Sequence, residues 1–251
     1  MGPDRLRAPT LVVIGGGPDG ALYVRQLLRA AAAGWLDAER ILVVDRDPRC
    51  LAGAQHRDPR VVIEAAGWDD WLDARLSSLG PEDHVVPYHW APHLLVGWLA
   101  RQLERAGARV RRGGLIPPRG LPFERETAQG DRALSFATWP CPPTCIEPAL
   151  CPHTRGVRDW SLAREIARPC PDDLWDDAIV FPSLHLTWGV ASIPVRSIHA
   201  ARDRALGRAR EGRCRWLVAT ASHCHGLATL LDVGVVPPGT SPAWAARGRQ
   251  S

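Results

Sequence analysis

Lysine and asparagine are missing from the 251 residues, so all 31 basic residues are arginine. That double absence reads as a bias towards GC-rich codons, not as selection for a partner. Charge of one sign is not in excess either. The formal net charge is +4, with 27 acids set among the 31 arginines. A nucleic-acid binder shows a basic face or stripe, and here only Arg202 to Arg215 is dense enough to compete, as the solvated face of a helix. No stretch approaches the ~18 uninterrupted apolar residues of a membrane span. The N-terminal MGPDRLRAPT leads straight into a strand without the apolar core of a signal peptide. The expectation is a cytoplasmic protein that neither spans a membrane nor binds nucleic acid. In a reducing compartment its seven cysteines read as metal ligands, catalytic groups or buried packing residues rather than disulfides. No internal repeat is present.

What is there suits a folded chain. At 45% hydrophobic it has enough apolar residues for a core, and its length fits one large domain or one with an insertion. Thr10–Ile14 is a short apolar run ended by Gly15-Gly16-Gly17-Pro18-Asp19-Gly20. The spacing predicts a helix over 21–33, stopped at Gly34, and strands at 41–44, 60–65 and 83–87. Helices are predicted at 68–79 and 94–106. This alternation argues for a parallel α/β sheet. After Gly107 the pattern gives way to a proline- and glycine-rich stretch. Strands return at 178–181, 189–194 and 215–221, with helices at 197–210 and, shorter, at 226–231. Four segments result: a nucleotide-binding half over 1–112, a Cys/Pro-rich insert over 113–177, an α/β part over 178–236 that completes the sheet, and a loose tail over 237–251.

Gly15, Gly17 and Gly20 match G-x-G-x-x-G, and the physical reasons are separate. They provide a tight turn, a close backbone approach to a pyrophosphate, and close helix–strand packing. The helix beginning near Gly20 would turn free N–H groups and its positive dipole end to a phosphate. Asp45, closing the next strand, would accept from ribose hydroxyls, with Asp47 as its substitute. The stretch VVIGGGPDG…ILVVDRDP resembles the dinucleotide-binding unit of NAD- and FAD-dependent proteins. Its continuation RVVIEAAGWDDWLDARL resembles the TrkA-type Rossmann domain, so the likeness covers about residues 10–87. It implies a Rossmann-like, mostly parallel sheet with helices on both faces, interrupted by a Cys/Pro-rich insertion. It also implies that Gly15, Gly17, Gly20 and Asp45 contact the cofactor. An acid at 45 favours NAD or FAD over a 2′-phosphorylated cofactor, a preference that Arg46 softens. Asp19 departs from the pattern by placing a negative charge beside the pyrophosphate. The same loop is also similar to the S-adenosylmethionine-type Rossmann unit of methyltransferases and spermidine synthase, where an acid after the second strand again holds ribose.

A second constellation lies in the insert. Cys141, Cys145 and Cys151 follow C-x3-C-x5-C, and Cys170 stands further on, in a proline-rich stretch that places Pro142, Pro152 and Pro171 directly after three of them. Four thiolates in a stiff loop suit zinc or an iron–sulfur cluster. Glu147 is the one carboxylate of interest there, with Trp139 and Trp160 as flanking shields. Ser222-His223-Cys224-His225 follows a predicted strand end, where open α/β sheets collect ligand-binding groups. His223, Cys224 and His225 are therefore candidate acid, base or nucleophile. His84, His89 and His93 are close in sequence, but Pro92 breaks any helical pairing. Cys50 and Cys214 read as packing residues, as do Trp68, Trp71 and Trp98. Three functions are compatible with this pattern. The first is a redox protein, an oxidoreductase or accessory with a redox partner protein; the others are an S-adenosylmethionine-type transferase and a non-enzymatic cofactor sensor or maturation factor.

Overall fold

The run Thr10–Ile14 is apolar at successive rather than alternate positions, and in the computed structural model all five residues are buried. That is the condition of a strand covered on both faces in a parallel sheet. The structure describes residues 6–87, 93–142, 144–169 and 174–237.

In chain order, β1 (Leu6–Arg7) and β2 (Thr10–Ile14) lead into α1 (Pro18–Ala32). Next come β3 (Leu36–Asp37), β4 (Arg40–Asp45), α2 (Leu51–Gln55), β5 (Val61–Ala65), α3 (Trp68–Arg75), β6 (His84–Val86) and α4 (Leu94–Arg105). The middle of the chain forms β7 (Val110–Arg112), β8 (Phe123–Glu126), β9 (Arg132–Ser135) and α5 (Leu162–Ile166). The last elements are β10 (Asp177–Pro182), β11 (Leu184–Thr187), β12 (Val190–Pro194), α6 (Val195–Glu211), β13 (Cys214–Ala221) and β14 (His225–Val233).

One sheet has the order β11-β12-β6-β2-β4-β5. Its strands β6, β2, β4 and β5 are parallel, while β12 and β11 add to the β6 edge antiparallel. A second sheet runs β10-β13-β14-β9-β8, with β7 also on β14. There β10 and β13 are parallel and every other pairing is antiparallel. This overturns the expected Rossmann-like, mostly parallel sheet with helices on both faces. Of the strands after residue 178, only β11 and β12 join the first sheet. The physical reason is in the connections: β13 and β14 are joined by a three-residue turn, and β8 and β9 by a five-residue one containing Gly130 at φ +76°. Connections so short permit only antiparallel pairing. The helix expected at 226–231 is the body of β14, which is buried continuously from Ala228 to Val233. Such a run has neither the period of 2 nor that of 3.6, so periodicity cannot tell it from a buried helix.

The chain divides into two compact units, each assembled from three stretches. The first comprises Met1–Leu94, Cys141–Asp159 and Ser183–Ser197, the second Leu95–Pro140, Trp160–Pro182 and Ile198–Ser251. The first unit's core gathers Leu11, Val13, Val24, Leu27, Ile41, Val43 and Val86. At the base of its sheet, buried Asp83 accepts the Thr10 N–H at 2.8 Å and the Gly80 N–H at 2.8 Å. The His84 ring binds Ser192 Oγ at 2.8 Å and so fastens β12 to β6. The second unit's core gathers Leu134, Leu162, Ile166, Trp175, Leu217 and Leu230. In that unit Asp232 on β14 binds Arg215 on β13 and Arg111 on β7. Among the described residues no helix is long and apolar enough to cross a membrane.

Candidate functional site

The glycine loop connects β2 to α1 in the first unit. Gly15 takes φ +89°, a conformation that glycine adopts without strain, and its N–H donates to the Val44 carbonyl at 2.9 Å. The Gly16 N–H donates to Asp45 Oδ2 at 2.7 Å, and the Gly16 carbonyl accepts from Ala52 N–H at 2.9 Å. A Cβ on Gly20 would lie 1.9 Å from the Gly15 carbonyl oxygen, and one on Gly16 would lie 2.3 Å from Cys50 Sγ. At Gly17, by contrast, a Cβ would meet nothing within 4 Å. Gly16 and Gly20 are thus demanded by packing, while Gly17 leaves open ground at the N-terminus of α1. The helix starts three residues before its expected position because Pro18 occupies its first turn, where a missing N–H costs nothing.

Asp45 is the hinge of this arrangement. Its second oxygen accepts the Asp47 N–H at 2.9 Å. A carboxylate offers about four lone-pair positions, so two more acceptor positions are left for hydroxyl groups. Asp47 itself builds the following turn by accepting the Arg49 N–H at 2.9 Å. Arg46 stands beside Gly67: a Cβ there would lie 3.6 Å from Arg46 Nε and 2.8 Å from Asp70 Oδ2.

The cysteine insert contributes residues 141–159 to the first unit. The Glu147 N–H donates to Cys145 Sγ at 3.3 Å. Glu147 itself is buried at φ +49° with its carboxylate 3.6 Å from His185 Nδ1. Cys151 sits in a tight turn, where its N–H donates to Gly156 and its carbonyl accepts from Arg155. The Thr154 N–H, then the Thr154 hydroxyl and the His153 N–H, donate to its sulfur, and Arg158 adds positive charge. Against burial, these hold the Cys151 thiol below the ordinary thiol range. Among the described residues no three His, Cys, Asp or Glu side chains converge as metal ligands. Cys170, the fourth expected ligand, lies outside the described residues, as does His89. The donor set therefore supports no reaction step through a metal.

His223, Cys224 and His225 belong to the second unit. Their turn joins antiparallel strands and is not the end of a purely parallel array. Ser222 organises it: its N–H donates to the His225 carbonyl at 2.8 Å, and its Oγ accepts the N–H groups of Cys224 and His225, each at 3.2 Å. Cys224 turns inward and accepts the Trp160 indole N–H at 3.4 Å, whereas both histidines are exposed. The His225 Nδ1 lies 3.0 Å from Ser135 Oγ. That hydroxyl donates to the Ala137 carbonyl at 2.9 Å and accepts the Ala137 N–H at 2.8 Å. With the hydroxyl proton placed on the Ala137 carbonyl, Nδ1 is assigned as the donor to Ser135 Oγ. Ser135 is thus a positioner of His225, not a nucleophile activated by it.

Cys50, Cys214, Trp71 and Trp98 are buried, as expected of packing residues. His84 is buried too, committed to Ser192. Sequence reasoning missed Ser135, Thr154 and His185. Only Thr154 leaves a signal, a hydroxyl three residues after Cys151, the offset at which a residue's neighbours can donate back to it.

The family described as "Uncharacterized protein, C-terminal domain" (AF_1314_C) matches residues 95–234, more than half of the chain. The chain belongs to this family. The matched segment of AF_1314_C holds the cysteine insert, Ser135 and the His223–His225 turn, while the glycine loop and Asp45 precede it. No curated protein and no solved structure matches the chain.

Proposed function

We propose that the chain binds a nucleotide cofactor, NAD or FAD, at Gly15–Gly20 with Asp45 on the ribose. In this reading it serves in the cytoplasm as an oxidoreductase or as an accessory to a redox partner protein. The supporting observation is the Gly16–Asp45 hydrogen bond. It fixes loop and acid in one frame while the Cβ position of Gly17 stays open at the N-terminus of α1. Backbone N–H groups at that helix end suit a pyrophosphate. The remaining lone pairs of Asp45 suit vicinal hydroxyls. When bound, a nicotinamide or flavin supplies hydride chemistry, and the chain's part is to hold and orient it. All six described cysteines are free, which agrees with a reducing compartment. A zinc ion or iron–sulfur cluster at Cys141, Cys145, Cys151 and Cys170 is the second part of the reading. It rests on the cysteine spacing and on a Cys151 thiol held below the ordinary thiol range by the donors around it.

The test is calorimetric titration with NADH, FAD and S-adenosylhomocysteine, on the wild type and on Gly17→Asp. The variant fits the fold because its Cβ meets no atom. NADH or FAD is expected to bind the wild type, and the added charge to weaken binding at least about tenfold. Binding of S-adenosylhomocysteine alone would replace the redox reading with the transferase one. Binding of none of the three by folded protein overturns the cofactor site. Metal analysis with a visible spectrum of anaerobically purified protein separates cluster, zinc and neither.

A further inference from the structure

The second unit contains a cleft of about 300 Å³ lined by Leu174, Trp175, Asp176, Arg213, Cys214, Arg215 and Asp232. It lies where β10 and β13 begin and β14 ends, the opposite end of β13 from the His223–His225 turn. Its charges are unequally used. Asp232 and Arg215 are spent on one another, through Nε–Oδ1 at 2.5 Å and Nη2–Oδ2 at 3.3 Å, and Arg111 adds a further bond to Asp232. The Cys214 thiol points at the Arg208 and Gly212 carbonyls, and burial raises its pKa, so it is neutral and occupied.

Two charges remain. Arg213 is exposed and makes no side-chain hydrogen bond or ion pair among the described residues. Asp176 accepts one backbone N–H, from Arg215 at 2.6 Å, and has no cation within ion-pair reach among the described residues. The exposed side chains of Arg213 and Asp176 therefore line one small cleft, and Asp176 also feels the charge of Arg215, whose guanidinium is hydrogen-bonded to Asp232. Leu174, which is exposed, also lines the cleft, as does the Trp175 ring, which is 5% exposed and carries Arg119 over its face at 5.5 Å.

We propose that this cleft binds a small zwitterion of α-amino-acid size with an apolar side chain. Its carboxylate would meet Arg213, its ammonium group Asp176, and its side chain Leu174 and Trp175. The volume is at the lower end for ligand pockets and excludes a dinucleotide. An arginine presents a planar fork to a carboxylate, and a ligand with both charges meets both exposed groups at once. The site is independent of the glycine loop, so the failure of either reading leaves the other standing.

The experiment is titration of the full chain with L-leucine, with 4-methylpentanoate, which lacks the amine, and with 3-methylbutylamine, which lacks the carboxylate. Leucine is expected to bind, and each truncated ligand to bind about tenfold or more weakly, the usual worth of one charged hydrogen bond. Arg213→Gln should abolish the advantage of leucine over the amine, and Asp176→Asn its advantage over the carboxylate. Circular dichroism checks that both exposed-site variants keep the fold. Absence of leucine binding at millimolar concentration overturns the proposal. So does leucine binding unchanged by Arg213→Gln, and so does equal binding of 4-methylpentanoate.

Discussion

At Gly16 a hydrogen atom occupies the only space that Cys50 leaves. A methyl group there would approach Cys50 Sγ to 2.3 Å and its Cβ to 2.8 Å, closer than any real packing contact. Gly16→Ala is therefore expected to cost about 1–3 kcal/mol, the usual penalty of overpacking. Cys50→Ala in the same chain should recover part of the loss, because the sulfur is the nearer obstacle. A double-mutant cycle from thermal or urea unfolding checks this. Strict additivity of the two substitutions would show that Gly16 and Cys50 do not meet. Gly17→Asp should leave stability near that of the wild type, which is what qualifies it as a binding probe.

At the scale of elements, the hairpin of β11 and β12 joins β6 through a short antiparallel ladder, to which the His84–Ser192 hydrogen bond adds a side-chain fastening. Burial first, and then the nearby charge of Arg196, hold the His84 imidazole below the ordinary histidine range. A folded-state pKa below the unfolded value near ~6.5 favours the neutral ring. This contribution is complete above that pH and is lost as pH falls from there through the lower folded-state value. Ser192→Ala, which leaves a buried ring nitrogen without its hydroxyl, is expected to cost about 1–3 kcal/mol. Hydrogen exchange should quicken over 184–194 while β2 and β4 keep their protection. Equal loss across the whole sheet would mean that the pair is not a local fastening. The parallel strands were legible in sequence because each is a short apolar run between glycine or proline turns. The second sheet was not legible. β14 has no alternation to read, and the serine at 135 that orients His225 is separated from it by 90 residues. The glycine loop was legible from its spacing, and Asp45 from its place at the next strand's end. The cleft beside Trp175 was not, since its charges come from three strand ends that only pairing brings together.

For the whole molecule, acid weakens the carboxylate that ties three strands of the second sheet together. Hydrogen bonding from Arg215 first, with Arg111 in support, lowers the Asp232 carboxyl from 3.8 to about 2 against the raising effect of burial. Because the folded pKa is the lower one, the stabilisation is present above about 3.8 and vanishes as pH falls towards 2. Asp232 is 8% exposed, but its partners Arg111 and Arg215 are 72% and 42% exposed. Screening brings the contribution down to about 1–2 kcal/mol. Urea unfolding at pH 6 and pH 3 should show roughly half of that contribution lost in the wild type and a smaller loss in Asp232→Asn. An unchanged pH dependence in the variant would place the acid sensitivity elsewhere.

The interleaving of the two units also has a temporal side. Strand β6 ends at Val86, and the strand that covers its open edge begins at Val190. Roughly a hundred residues must leave the ribosome in between, which at ~5–20 residues per second takes on the order of 5–20 s. For that interval the nascent sheet carries an unpaired parallel edge, the feature through which chains join one another wrongly. The short length of β6, three residues, keeps that template small while it waits.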